Sequence, residues 1–297
     1  MDRATVDVVR RFNRTVTQRV GALQPGYLAR GRSLGASRVL WEVGPQGREV
    51  RDLRAALDLD SGYLSRLLRS LERAGLAVTT ADGADARVRT VRLTPAGMAE
   101  RRLLDDRSDA LAWSLVEPLN EGHRTRLLEA MTTVERLLTA GLVDVRIEDP
   151  ESPDARWCIE SYFGTLRERF ESGFDPAAGI RADAEDLTLP AGLLLIARLH
   201  GRPVGCGALK LHGRNPAEIK RMWVAPEARG LGLGRRLLTE LEGEASARGA
   251  TATRLETNHS LREAVSLYRS AGYVEVPAFS DEPYAHHWFE KRLRRSR

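Results

Sequence analysis
The hydrophobic rhythm of the chain changes part-way along. Between Ser61 and Gly75, Leu64, Leu67, Leu68 and Leu71 recur at i, i+3, i+4 and i+7, which puts one apolar stripe on a helix. The opposite, polar face holds Ser61, Tyr63, Ser65, Arg66, Arg69 and Arg73, with Gly62 in its first turn. Two helical stretches precede it, "ASRVLWEV" and "VRDLRAALD", with breaks at Gly44-Pro45 and Leu59-Asp60. Asp60 or Ser61 caps the third helix and Gly75 ends it. "AVTTADGADARVRTVRLT" then alternates on both sides of a Gly/Asp-rich tip and predicts a two-stranded hairpin. Helix, turn, helix and hairpin in this order predict a winged helix-turn-helix. Two more amphipathic stripes flank it: Val9, Phe12, Val16 and Val20 on one side, Leu127, Leu128, Met131, Val134 and Leu138 on the other.

After Leu142 the period shortens towards two. Val143, Val145 and Ile147 alternate, a helix follows at Ala155–Phe170, and "LLLIARLHG" and "RPVGCGALKLHG" read as strands meeting at a Gly201-Arg202 tip. "AEIKRMWV" is a further strand, followed by a helix with Leu237, Leu238, Leu241 and Ala245 inward. The strand "ATRLETN", the helix "LREAVSLYRSAG" and closing strands at "GYVEVP" and "HHWFEKRL" complete the pattern. Two domains are expected, residues 1–142 and 143–297. The first is mainly α. The second is α/β, with a mixed, mostly antiparallel sheet.

"VAPEARGLGLGRRLL" joins a strand directly to a helix through three glycines. Such a turn aims successive main-chain N–H groups from the positive end of a helix, which suits a pyrophosphate. A Walker loop needs Gly-Lys-Ser/Thr, and here Arg235-Arg236 follows; a Rossmann fingerprint needs a third glycine where Leu237 stands.

The longer motifs carry two resemblances. Over about residues 5–140 the chain resembles the MarR family of transcriptional regulators, through Asp85-x-Arg87 in the wing and "LTPAG" at Leu93–Gly97. The resemblance implies that Arg87 enters the minor groove and that Ser61, Gly62, Tyr63, Ser65, Arg66 and Arg69 face the major groove of double-stranded DNA. It also implies a homodimer formed by the terminal helices, reading a pseudo-palindromic operator. In a rival reading, Arg66 and Arg69 pair with Glu72 and the terminal stripes are internal core.

Over about residues 143–297 the chain resembles the GNAT acetyltransferases. The carriers are Arg229-x-x-Gly232-x-Gly234, "ETN" at Glu256–Asn258, and "AVSLYRSAGY" at Ala264–Tyr273. By resemblance, acetyl-CoA is the cosubstrate. The N–H groups of Gly230, Leu231, Gly232, Leu233, Gly234 and Arg235 hold its pyrophosphate, with Arg229 nearby. The backbone of Met222, Trp223 and Val224 pairs with the pantetheine arm, and Asn258 binds the same arm. Tyr268 would donate to the leaving sulfur; full proton transfer to the thiolate is uphill by about 2 kcal/mol, so a hydrogen bond to developing charge is expected. Glu218 is the expected general base, sharing a strand face with Lys220, Met222 and Val224. The amine acceptor would be shaped by Ala155–Phe174 and a last loop containing Tyr284, His286 and His287. The alternative to turnover is a regulator whose second domain only senses acyl-CoA or a small amine.

Composition narrows the field further. Of 297 residues 29% are charged and the net charge is +5, with the whole excess in the first half, as a polyanion-binding domain would have it. The longest apolar run, Ala191–Ala197, is far short of a membrane span. The opening "MDRATVDVVRRFNRTV" has no apolar h-region, so a cytoplasmic protein is expected. Cys158 and Cys206 form no CxxC pair and have no His cluster beside them, so neither a metal site nor a disulfide framework is expected.

Overall fold
The computed structural model describes residues 2–23, 27–29, 31–81, 88–171, 173–180, 182–213 and 216–293. The chain divides into two compact units, Met1–Thr132 and Thr133–Arg297, the division falling inside a helix.

In the first unit, α1 (Arg3–Arg19) and α2 (Leu34–Val43) lead to β1 (Arg48–Glu49), α3 (Val50–Leu57) and α4 (Ser61–Arg73). β2 (Ala77–Ala81) and β3 (Arg89–Leu93) form the expected hairpin, and the short β1 adds a third antiparallel strand to it, in the order β1-β3-β2. α5 (Pro95–Val116) and α6 (Glu121–Ala140) follow. Leu64, Leu67, Leu68 and Leu71 are all buried, with Val39, Leu40, Leu53 and Val91 around them. Asp60 caps α4 by accepting from Tyr63 N at 3.0 Å, and Gly75 leaves the helix at a φ of +68°.

"LTPAG" is a device for turning the chain. Thr94 caps α5 by accepting from Gly97 N at 3.1 Å and donates to Gly75 O at 2.6 Å, while Pro95 opens the helix. Gly97 must be glycine: a Cβ there would stand 1.9 Å from the Leu76 carbonyl oxygen. The helix therefore starts in direct contact with the first residues of the hairpin.

The terminal stripes are not core. α1 and α6 contain no buried residue; Phe12 is 46% exposed and Leu138 66%.

The second unit is a seven-stranded sheet. Its elements are β4 (Asp144–Glu148), α7 (Pro153–Arg169), β5 (Gly192–Leu199), β6 (Arg202–Lys210), β7 (Ala217–Val224), α8 (Leu233–Ala247), β8 (Ala252–Thr257), α9 (Arg262–Ser270), β9 (Val274–Glu275) and β10 (His287–Arg292). The strand order is β4-β5-β6-β7-β8-β10-β9, and only β7–β8 is parallel. The β5–β6 turn forms at His200 and Gly201, with φ of +52° and +76°, the left-handed pair a two-residue hairpin needs. Leu194, Ile196, Cys206 and Ala208 share one core with Ala155, Cys158 and Leu166 of α7 and Leu237 and Leu241 of α8.

One irregularity positions everything else. β6 and β7 pair Cys206 with Trp223 but Ala208 with Lys220, so β7 holds one extra residue, and Arg221 there has a φ of +53°. A one-residue bulge flips the faces beyond it. Glu218 and Lys220 therefore share a face with Trp223, whereas Met222 and Val224 join Ile219 on the other. The expected common face of Glu218, Lys220, Met222 and Val224 does not exist, because the alternation that predicts it assumes an unbroken strand. The parallel pairing of β7 with β8 also stops at Glu218–Arg254, so the rest of β7 is free of that neighbour.

Candidate functional site
In the first unit the polar face of α4 is presented to solvent. Ser61, Tyr63, Arg66 and Arg69 are exposed and Gly62 and Ser65 partly so. Arg66 lies over the Tyr63 ring at 5.6 Å, and Arg69 Nε donates to Ser65 O at 3.2 Å. Neither arginine forms a salt bridge among the described residues, and Glu72 is used instead to accept from Thr79 N at 3.1 Å. Beside α4, Arg51, Arg54 and Arg89 border a concavity of about 410 Å³ between α3, α4 and the base of the wing. Asp85 and Arg87 lie outside the described residues.

In the second unit the splay of β7 from β8 opens two cavities. One, of about 480 Å³, runs along Met222–Val224 and the glycine turn to the start of α8. Gly230 and Gly232 hold φ of +81° and +75°, and α8 begins without a side-chain cap. The N–H groups of Leu233, Gly234 and Arg235 stand in its first turn, where no carbonyl four residues back can accept them. That is an uncapped, positive helix end facing a groove, and it fits a diphosphate. Gly234 packs closely: a Cβ there would meet Leu267 Cδ2 at 3.3 Å.

The other cavity, of about 430 Å³, is lined by α7, the segment after it, β7, the end of β8 and the 282–285 loop. Six residues border both cavities: Tyr162, Leu166, Met222, Leu261, Ala264 and Tyr268. Tyr268 is buried, and its hydroxyl has no hydrogen-bond partner among the described residues. Burial holds its pKa well above that of a free phenol, and the neighbouring Tyr162 and Glu256 push the same way. It therefore stays protonated at neutral pH. Glu256 lines the second cavity and is paired with Lys220 through Oε1, while its Oε2 is buried without a partner. Burial outweighs the attraction of Lys220 and lifts its pKa above the usual carboxylate range.

Residues 159–273 match the acetyltransferase (GNAT) family, and residues 38–97 match a winged helix DNA-binding domain. The chain joins a winged helix domain to a GNAT domain. It is similar to the IAA acetyltransferase of Azospirillum brasilense, 41% identical over 103 residues that cover 34% of this chain and 66% of that protein. It is also similar to the mycothiol acetyltransferase of Paenarthrobacter aurescens, 31% identical over 166 residues that cover 53% of this chain and 50% of that one. The chain thus spans between half and two thirds of the length of these two relatives. A GNAT-family acetyltransferase structure from Staphylococcus aureus overlays on 51% of this chain and 99% of its own, at 16% identity and a TM-score of 0.44. No helix among the described residues is long and apolar enough to cross a membrane.

Within the GNAT domain, Met222, Trp223, Val224, Arg229, Gly230, Gly232, Leu233, Gly234, Arg235 and Tyr268 come together around the first cavity. Leu231, between Gly230 and Gly232, packs against the core. Arg235 is turned aside, donating to the Ser270 hydroxyl at 2.5 Å. Asn258 borders the second cavity rather than the first; its Nδ2 donates to Tyr284 O at 2.8 Å and its Oδ1 accepts from Ser260 N at 2.9 Å, which pins the last loop. Glu218 borders neither cavity. Burial alone would raise its pKa, but the Arg254 hydrogen bond and the charges of Lys220, Arg254 and His212 hold it below the usual range. A carboxylate so held is a poor proton acceptor, whereas Glu256 lines the second cavity with its pKa raised. Tyr284 lines the second cavity, whereas His286 and His287 do not, His287 being paired with Glu275 at 2.6 Å. Glu256 and Tyr162 also line the cavities and were not singled out as site residues from the sequence; the "ETN" string was the available signal for the first.

Proposed function
We propose that this protein is a MarR-type regulator that binds a pseudo-palindromic DNA operator as a homodimer and carries an acetyl-CoA-dependent N-acetyltransferase on the same chain. The exposed stripes of α1 and α6 support dimerisation, since covering each large apolar side chain is worth about 1.5–3 kcal/mol. The exposed, unbridged Arg66 and Arg69, with Arg54 and Arg89 beside them, support the DNA face.

The observation that carries the enzymatic half is Tyr268, protonated and unpartnered at a wall common to both cavities. Acetyl-CoA, when bound, supplies a thioester that an amine can attack. The main-chain N–H groups of Leu233, Gly234 and Arg235 hold its diphosphate, and the β7 backbone from Met222 to Val224, released from β8, is available to pair with its amide-bearing arm. Glu256, its pKa lifted by burial, takes the proton of the incoming ammonium directly or through a water. The new N–C bond forms as C–S breaks, and the Tyr268 hydroxyl donates a hydrogen bond to the sulfur as charge builds on it.

The test is CoA release with a panel of primary amines. Release by the native chain and its loss in Tyr268→Phe uphold the transferase. Release that is absent from both, with acetyl-CoA still bound, makes the domain a sensor. DNA binding with a steep inverse salt dependence upholds the regulator.

A further inference from the structure
Building on the transferase reading above, we propose that the acetyl acceptor is an aromatic primary amine of the arylalkylamine class, without a carboxylate. The wall of the second cavity is a continuous ring cluster: Phe163 and Phe174 at 5.6 Å between centroids, Phe170 and Phe174 at 5.7 Å, and Phe174 and Tyr284 at 5.0 Å. Phe170 is buried and serves as the base of the cluster, while Phe163, Phe174 and Tyr284 keep part of their surface uncovered. The segments that carry these rings are tied to one another by hydrogen bonds. Asp175 N donates to Tyr284 Oη at 2.9 Å, Ile180 N to Glu282 Oε2 at 2.7 Å, and Arg221 Nη2 to Ala182 O at 2.7 Å. The rings are thereby held apart as a wall, and a flat apolar group is the complement of such a wall.

Charge selects the other end of the ligand. The ionisable side chains on the cavity are Asp183, Glu256 and Glu282 against Lys220 and Arg221, with Tyr162 and Tyr268 held protonated by burial. Lys220 is bound to Glu256 and stands 3.7 Å from Glu218. Arg221 is laid over the Phe163 ring at 4.8 Å and donates through Nη2 to Ala182 O, while its Nε is buried without a partner. Three carboxylates thus stand against two cations, so the excess charge on the cavity is negative, with Glu256 Oε2 unpartnered. A cationic amine is favoured there and an amino acid's carboxylate is not. A volume of about 430 Å³ takes one small molecule with both features.

The experiment compares CoA release by the full chain with phenethylamine, isobutylamine, phenylalanine and spermidine. Phenethylamine is expected to have the highest kcat/KM. Phe174→Ala should cut its advantage over isobutylamine about tenfold, through KM for the amine and with KM for acetyl-CoA unchanged, and Phe174→Tyr should restore it. Preference for spermidine or phenylalanine, or an aromatic preference untouched by Phe174→Ala, overturns the proposal while leaving the transferase intact. Should no amine be turned over, the transferase reading fails. Calorimetry of phenethylamine on the CoA-loaded chain then decides the cavity's class: binding lost in Phe174→Ala upholds it, and absence of binding in the native chain overturns it.

Discussion
The two halves of this chain hold their charged groups under opposite electrostatic conditions. The face of α4 presents Arg66 and Arg69 to water, where each charge contributes little and salt screens it. In the cleft of the second half, Glu256, Lys220 and Tyr268 are largely removed from water, and each contact there is individually strong. Distributed charge suits a polymer with a regular phosphate array. Concentrated, buried polarity suits one reacting atom.

Substitutions can break or sharpen that contrast. The largest effects are expected in the cleft: Tyr268→Phe and Glu256→Gln should each lower kcat by roughly a hundredfold or more, with operator affinity unchanged. A loss of DNA binding in either variant would mean that the halves are not separable. The pH profile refines the assignment. Glu256 accepts a proton only above its raised pKa, so the rate should fall as pH drops through a value higher than that of an ordinary glutamate, and Glu256→Gln should remove that acid limb.

Smaller losses are expected on the exposed face. Arg66→Ala or Arg69→Ala should weaken operator binding by about ten- to a hundredfold if the side chain reads a base edge, and acetyl transfer should be untouched. A uniform loss across DNA sequences, with a shallower salt slope, would reassign the residue to phosphate. Smaller still are effects on folding alone. Gly97→Ala should cost about 1–3 kcal/mol by driving α5 off the Leu76 carbonyl, and Thr94→Ala about 1 kcal/mol by removing the cap; both would appear in thermal melts of the full chain.

How far each half could be read in advance follows the same contrast. The stripe Leu64, Leu67, Leu68 and Leu71, the cap at Asp60 and the exit at Gly75 are all local, and helical geometry alone places Arg66 and Arg69 outward. The glycine turn was equally legible, because a strand running directly into an uncapped helix has only one place to point its N–H groups. Glu218 shows where local reasoning stopped. The face it was expected to share with Met222 and Val224 assumed strict alternation along β7, and the bulge at Arg221 moved those two residues to the other face. Glu256 was out of reach for a related reason: its raised pKa depends on burial beside Lys220, 36 positions earlier. The ring cluster joins Phe163, Phe170 and Phe174 to Tyr284, more than a hundred positions away, and no periodicity links them.

From the amino-acid order by itself came the two-part architecture, the exposed basic face of α4 and the glycine turn into an uncapped helix, since each depends on spacing within one or two neighbouring elements. Only the folded sheet decided which carboxylate is buried on the cavity with its pKa raised, which rings form the cavity wall and where the two cavities join. These depend on a single inserted residue in β7 and on how far its neighbour diverges from it, and strand register and divergence are properties of pairing between segments rather than of either segment alone.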